Sequence, residues 1–145
     1  MKYLILAFLF LSGNTFAEVV KGDNCKSPHS STGIAMMDKM YNAMRIDTKT
    51  VVEEKTKTEL ISNIAVSERL ASQYALESYN KNPDSWLSVK DYKEIYSNYN
   101  ARNLIIKFTY ENQNKKQNVF LVSALVNDYE CGIRFNGYII VKREF

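Results

Sequence analysis

Leu104-Ile-Ile-Lys-Phe-Thr-Tyr110, Glu111-Asn-Gln-Asn-Lys-Lys116 and Asn118-Val-Phe-Leu-Val-Ser-Ala-Leu-Val-Asn127 are the stretches whose reading decides the fold. In the first, Leu104, Ile106, Phe108 and Tyr110 alternate with Ile105, Lys107 and Thr109. That period of two describes a strand with one apolar face. Glu111–Lys116 is a polar turn. Asn118–Asn127 is apolar on both faces, as suits a central strand covered by helices. Beyond it, Asn136-Gly137 favours a tight hairpin turn, because both residues tolerate positive φ, and Tyr138–Lys142 closes the set.

Toward the N-terminus the period lengthens. Trp86-Leu87 leads into a helix with Ser88 as cap and Asp91 three residues later, a capping-box arrangement, and Val89, Tyr92, Ile95 and Tyr96 form its apolar face. Leu60, Ile61, Ile64, Leu70, Ala71, Tyr74 and Ala75 predict a helix over about 59–79, ended by Asn80-Lys-Asn-Pro83. A short strand over 58–66 competes with its first half. Asp47–Thr58 carries no apolar period and reads as a solvated connection or a frayed helix start. Ile34, Met37, Tyr41 and Met44, with Met36 and Met40 beside them, have the spacing of an amphipathic helix, which Ser30 or Ser31 can cap. Its methionines read as a core of flexible side chains sooner than as a binding groove. Helices first and an antiparallel sheet of three to four strands afterwards is the α+β pattern.

The two ends say where such a chain is made. Met1-Lys2 precedes an uncharged run, Tyr3–Leu11, and Thr15-Phe16-Ala17 places small residues where a signal peptidase reads them. The run is about half of the roughly 20 apolar residues that a spanning helix needs. Residues 1–17 are therefore expected to be a signal peptide cut between Ala17 and Glu18, leaving one α+β domain over 18–145 that begins with an irregular arm, 18–31. Both cysteines of the chain, Cys25 and Cys131, lie in that mature part. After an export signal such a pair is expected to be a disulfide. A bridge over so long a segment stabilises by roughly 4–5 kcal/mol in the chain-entropy model.

The chain carries a formal net charge of +3, and loss of Lys2 with the signal leaves +2. Charges of both signs are mixed along it, with no basic stripe, so neither nucleic acid nor an anionic membrane is indicated. No GxSxG, HExxH, Gly-rich phosphate loop or metal-spaced cluster occurs. The one histidine, His29, follows Pro28 in the arm without an obvious partner, and Glu53-Glu54 is the adjacent acidic pair. The expectation is a binding protein, not an enzyme, with no cofactor and no metal.

The order of these features resembles a known family. An exported precursor has a cysteine near its mature N-terminus, a helix with Gly33-Ile34-Ala35 and Tyr41, and then Trp86 with a short helix. Strand, polar turn, strand, cysteine and terminal strand follow. This is similar to bacteriocin immunity proteins of the colicin M immunity/YebF type, with Asp47–Asn82 as a longer and more helical departure. The resemblance implies a disulfide-tied α+β domain in the periplasm that neutralises an imported protein toxin, here a peptidoglycan-degrading, muramidase-type bacteriocin. Glu53 and Glu54, with Tyr92, Tyr96 and Tyr99, are the candidate toxin-binding residues, since acids or tyrosines can plug a toxin cleft. No stable membrane insertion is expected, and a homodimer is a further option. An exported lysozyme inhibitor and a small secreted enzyme or carrier protein are the alternatives.

Overall fold

One antiparallel sheet, in the order β1-β2-β3-β4, carries the architecture: β1 Lys57–Ala65, β2 Arg102–Glu111, β3 Gln117–Val126 and β4 Arg134–Arg143. The structure is a computed structural model that describes residues 24–145, so the expected signal segment and its junction at Ala17 and Glu18 lie outside the described residues. Three helices complete the α+β fold: α1 Ser31–Asn42, α2 Glu68–Lys81 and α3 Val89–Ser97.

The alternation that defined β2 sorts its side chains as expected. Leu104, Ile106, Phe108 and Tyr110 point to one face, where β3 adds Phe120 and Val122; α1 covers them with Met36 and Met40, and Met44 joins them just past its end. Phe108 lies across from Phe120 in the ladder, and its ring stacks on that of Tyr110 at 5.8 Å. The Cys25–Cys131 disulfide ties the chain ahead of α1 to the loop between β3 and β4, joining positions 106 apart in sequence.

Helix α1 is rotated from the face its spacing suggested. Met36 and Met40 are fully buried, whereas Ile34 and Tyr41 are 61% and 59% exposed. Two contacts made outside the helix set the rotation. The Thr32 hydroxyl donates to the Cys131 carbonyl at 2.7 Å, and Gly33 lies so near the arm that a Cβ there would stand 2.2 Å from the Pro28 carbonyl oxygen. Only glycine fits that approach.

The helix expected over 59–79 is instead a strand, a break and a shorter helix. Residues 57–65 pair along β2, from Lys57 opposite Thr109 to Ala65 opposite Arg102. Ser67 then caps α2, accepting from the Leu70 amide at 3.2 Å. The apolar spacing misled because Ile61 and Ile64 are exposed, and only Leu60 packs on the core. A free edge of β2 beside them makes pairing the better outlet for their backbone groups. The capping box of α3 is present as read, with Ser88 and Asp91 exchanging both hydrogen bonds.

Asn136-Gly137 does not turn the chain. Both residues lie inside β4 at an irregularity, where Ser123 pairs with Gly137 and Ala124 with Phe135. Gly137 has φ +146°, a backbone conformation that residues with a Cβ rarely adopt. The extra residue, Asn136, is turned to use: its amide nitrogen donates to Asn103 and Ser123, and its oxygen accepts from Arg134.

The second face of the sheet is covered at one end. Ala71 and Ala75 of α2 and Tyr96 of α3 form a small cluster with Leu125 of β3. Helices α2 and α3 pack chiefly on each other, and Arg134 of β4 holds them to the sheet. Its guanidinium lies 4.1 Å from the centre of the Tyr74 ring and 2.8 Å from the Glu77 carboxylate. Farther along, Ile105, Leu121 and Ile139 line an open apolar groove.

Candidate functional site

The arm, the first turns of α1 and the segment after it line a half-open cavity of about 240 Å³. Its apolar walls are Pro28, Ile34, Met37 and Val51. Each wall has a local cause. Pro28 is held against Gly33, and Ser30 fixes the arm by donating to the carbonyls of Cys25 and Ser27 at 2.9 and 2.7 Å. The exposure of Ile34 on α1 follows from the rotation described above.

Val51 belongs to the segment that reads as a solvated connection, and the structure gives that segment a defined course. Thr48–Thr50 and Glu53–Lys55 are 3-10 turns. Between them the backbone joins the β2–β3 turn, with Val52 donating to Glu111 at 2.8 Å and Gln113 donating to Thr50 at 3.1 Å. Asp47 starts the course, its carboxylate accepting from the Lys49 amide. The segment is therefore a fixed wall.

At the mouth of the cavity the structure brings together two residues that are distant in sequence. His29 Nε2 stands 3.1 Å from Glu53 Oε1, so the histidine of the arm does have a partner. Their side chains are 70% and 71% exposed. Water screens a pair of this kind, and it contributes little to stability. It lacks the burial that tunes a catalytic dyad. Glu54 is exposed on the same 3-10 turn.

Tyr110 lines the cavity from the sheet side. It is buried, its ring packs between Phe108 and Phe120, and its hydroxyl has no hydrogen-bond partner. Burial pushes the phenol pKa well above its ordinary value, so the group stays neutral. A buried hydroxyl left unpaired is costly, by about 1–3 kcal/mol. Sequence reading passed over Tyr110 because it completes the apolar alternation of β2. The available signal was chemical: a buried tyrosine ordinarily finds a partner for its hydroxyl, and its apolar neighbours offer none.

The three candidate tyrosines divide. Tyr96 is buried, stacked on Tyr92 at 6.0 Å, with its hydroxyl 2.9 Å from Ser78. Tyr92 is half-buried and donates to Ser85 at 3.3 Å. Both serve the α2–α3 contact. Tyr99, just past α3 at φ +54°, is exposed and meets Tyr129 edge to face at 5.0 Å. Trp86 is 89% exposed.

Among the described residues, no group of three or more His, Cys, Asp or Glu side chains could hold a metal ion. No helix among them is long and apolar enough to cross a membrane. The chain matches no protein-family model, no curated protein and no solved structure.

Proposed function

We propose that this protein is a periplasmic immunity protein that binds and neutralises an imported bacteriocin of the muramidase, pesticin-like type. The observation that carries the reading is the fixed placement of Glu53 and Glu54. They stand on a 3-10 turn braced against the β2–β3 turn, Glu53 at the rim of a cavity and Glu54 exposed beside it, within a scaffold closed by a disulfide. A protein that blocks an enzyme needs a rigid surface with little ordering left to do on binding, and acids at a rim give the contact its register. The bridge suits an oxidising compartment outside the cytoplasm, and the apolar start of the chain with Thr15-Phe16-Ala17 is the signal that would deliver it there.

The test is protection. A host killed by a pesticin-type muramidase survives when it exports this protein and dies when residues 1–17 are deleted; the purified protein forms a one-to-one complex with that muramidase. A host that stays sensitive despite periplasmic protein refutes the proposal. Titration against unrelated lysozymes separates dedicated immunity from general lysozyme inhibition, in which several muramidases would be blocked alike.

A further inference from the structure

The two edges of the sheet are not alike. β1 exposes Lys57 and Glu59, and its register shifts at Ile61 in mid-strand. Charges and bulges of this kind keep an edge from pairing further. β4 has neither at its centre. Among the described residues it pairs with β3 alone, which leaves an open edge on its other side. Ile139, Ile140 and Val141 follow one another there, 65%, 45% and 57% exposed. The charges of β4, Arg134, Lys142 and Arg143, stand at its ends, and its register shifts, at Asn136 and Val141, leave Gly137–Ile140 regular between them.

We infer that β4 is the contact between two copies of this chain, paired antiparallel about a two-fold axis at Ile139 into one continuous sheet. Charge selects both the occupant and the register. Residues directly opposite in an antiparallel pair share a face, so a two-fold axis normal to the sheet passes through a residue that faces itself. With the axis at Tyr138, Lys142 of each copy would oppose Arg134 of the other, and like charges across strands repel. With the axis at Ile140, the charged end meets only Tyr138, Gly137 and Asn136. At Ile139, Lys142 comes beside Asn136, Arg143 beside Phe135 and Glu144 beside Arg134, so no like charges meet and opposite charges face each other at both ends. A strand whose own acid falls opposite its own base is its own complement, as an isologous interface requires.

The same register aligns apolar surface. Leu121 lies across from Ile139, and with Ile105 they line the groove of about 150 Å³ on the sheet. Two Ile139 side chains set side by side join the grooves of both copies, while Ile140 meets Tyr138 on the opposite face. Because the β1 edge resists further pairing, the assembly closes at two copies. The pairing stands apart from the immunity reading.

Sedimentation velocity on the mature, disulfide-bonded protein tests it. The mass should pass from one chain to two as concentration rises, and go no higher. Ile139→Lys sets two ammonium groups together at the axis and should weaken the dimer by about tenfold or more. Ile139→Ala, which keeps the test open if lysine disturbs the fold, should weaken it by about threefold. Ile64→Lys, at an isoleucine 64% exposed beside the other edge, should leave it within about twofold.

The inference is overturned if the protein stays a single chain at every concentration, if its mass climbs past two copies, or if Ile64→Lys disrupts as much as Ile139→Lys. A dimer that forms only after residues 18–23 are removed would make that segment the occupant of the edge. Loss of muramidase binding without any change in self-association in Ile139→Lys would make the toxin the occupant. Either result refutes the pairing of two copies.

Discussion

The two faces of the sheet are closed by different means. Under α1, large side chains meet: Phe108, Tyr110 and Phe120 from the strands and Met36 and Met40 from the helix, all buried, with a disulfide at the edge. On the other face α2 and α3 meet the sheet through Leu125, with Ala71 and Ala75 as their most buried positions and Arg134 as the clasp. Burial stabilises in proportion to apolar area removed from water. The α1 face should therefore hold most of the stability, while the α2–α3 pair is the unit that opens first.

The largest effect that would sharpen this contrast is loss of the bridge. Cys25→Ser should lower the unfolding free energy by about 4–5 kcal/mol in the chain-entropy model, measured by urea denaturation. An unchanged midpoint would mean that the bridge does nothing for stability. Next is a matched pair of truncations. Phe108→Ala on the α1 face should cost about 3–5 kcal/mol, and Leu125→Ala on the other about 2–3 kcal/mol. Equal losses in the same denaturation series would erase the distinction between the faces.

Arg134→Met keeps an unbranched apolar stem and removes the guanidinium with its hydrogen bonds to Glu77, Ser78 and Asn136. A loss of about 1–2 kcal/mol is expected, accompanied by faster amide hydrogen exchange in α2 and α3 than in β2 and β3. Exchange that quickens uniformly would show that the clasp serves the whole domain.

Acid should act on the same clasp. The Glu77 pKa lies below its ordinary value, first because Gln73 donates to the carboxylate and then because Arg134 donates to it and attracts it, with Lys81 adding its charge. A carboxylate depressed in the folded state stabilises above its unfolded pKa, and that contribution is lost as pH falls through the folded value. Between about pH 5 and pH 3, then, wild-type protein should lose its advantage over Glu77→Gln. The effect is small because Glu77 is partly exposed and solvent screens it. A thermal-melting difference that stays constant over this range would contradict the assignment.

The smallest expected change concerns the start of α3. Ser88→Ala removes the hydroxyl that accepts from the Asp91 amide at 3.2 Å and should cost about 1 kcal/mol, read as a lower melting temperature and faster exchange of the first α3 amides. A loss as large as that of Phe108→Ala would mean that α3 is more than a cover.

How much of this could be read beforehand depends on how local the cause is. The alternation from Leu104 to Tyr110, the polar turn after it, the central β3 and the Ser88–Asp91 box all follow from neighbours within a few residues, and each is where the sequence places it. The pairing of Cys25 with Cys131 was legible for another reason: with two cysteines there is only one bridge to make. Residues 57–65 were legible only as an alternative, because their apolar spacing suits a helix as well as the short strand read over 58–66, and the neighbouring edge of β2 decides for the strand. Asn136-Gly137 has turn chemistry, yet the ladder from β3 absorbs it as a bulge. The rotation of α1 hangs on Thr32 reaching Cys131 and on Gly33 meeting Pro28.

The candidate site belongs to this second group. His29 and Glu53 meet across the chain, and Tyr110 becomes a cavity floor only once α1 and the Thr48–Lys55 turns are in place above it. By itself the sequence determined the fold class, the two central strands and the bridge. Tertiary structure decided which face of α1 is buried, where strand gives way to helix before Ser67, and that an exposed acid, a histidine and an unpaired phenol share one cavity. The physical reason is range: periodicity and capping act over one or two turns, whereas a cavity is made where segments far apart in sequence fail to fill the space between them.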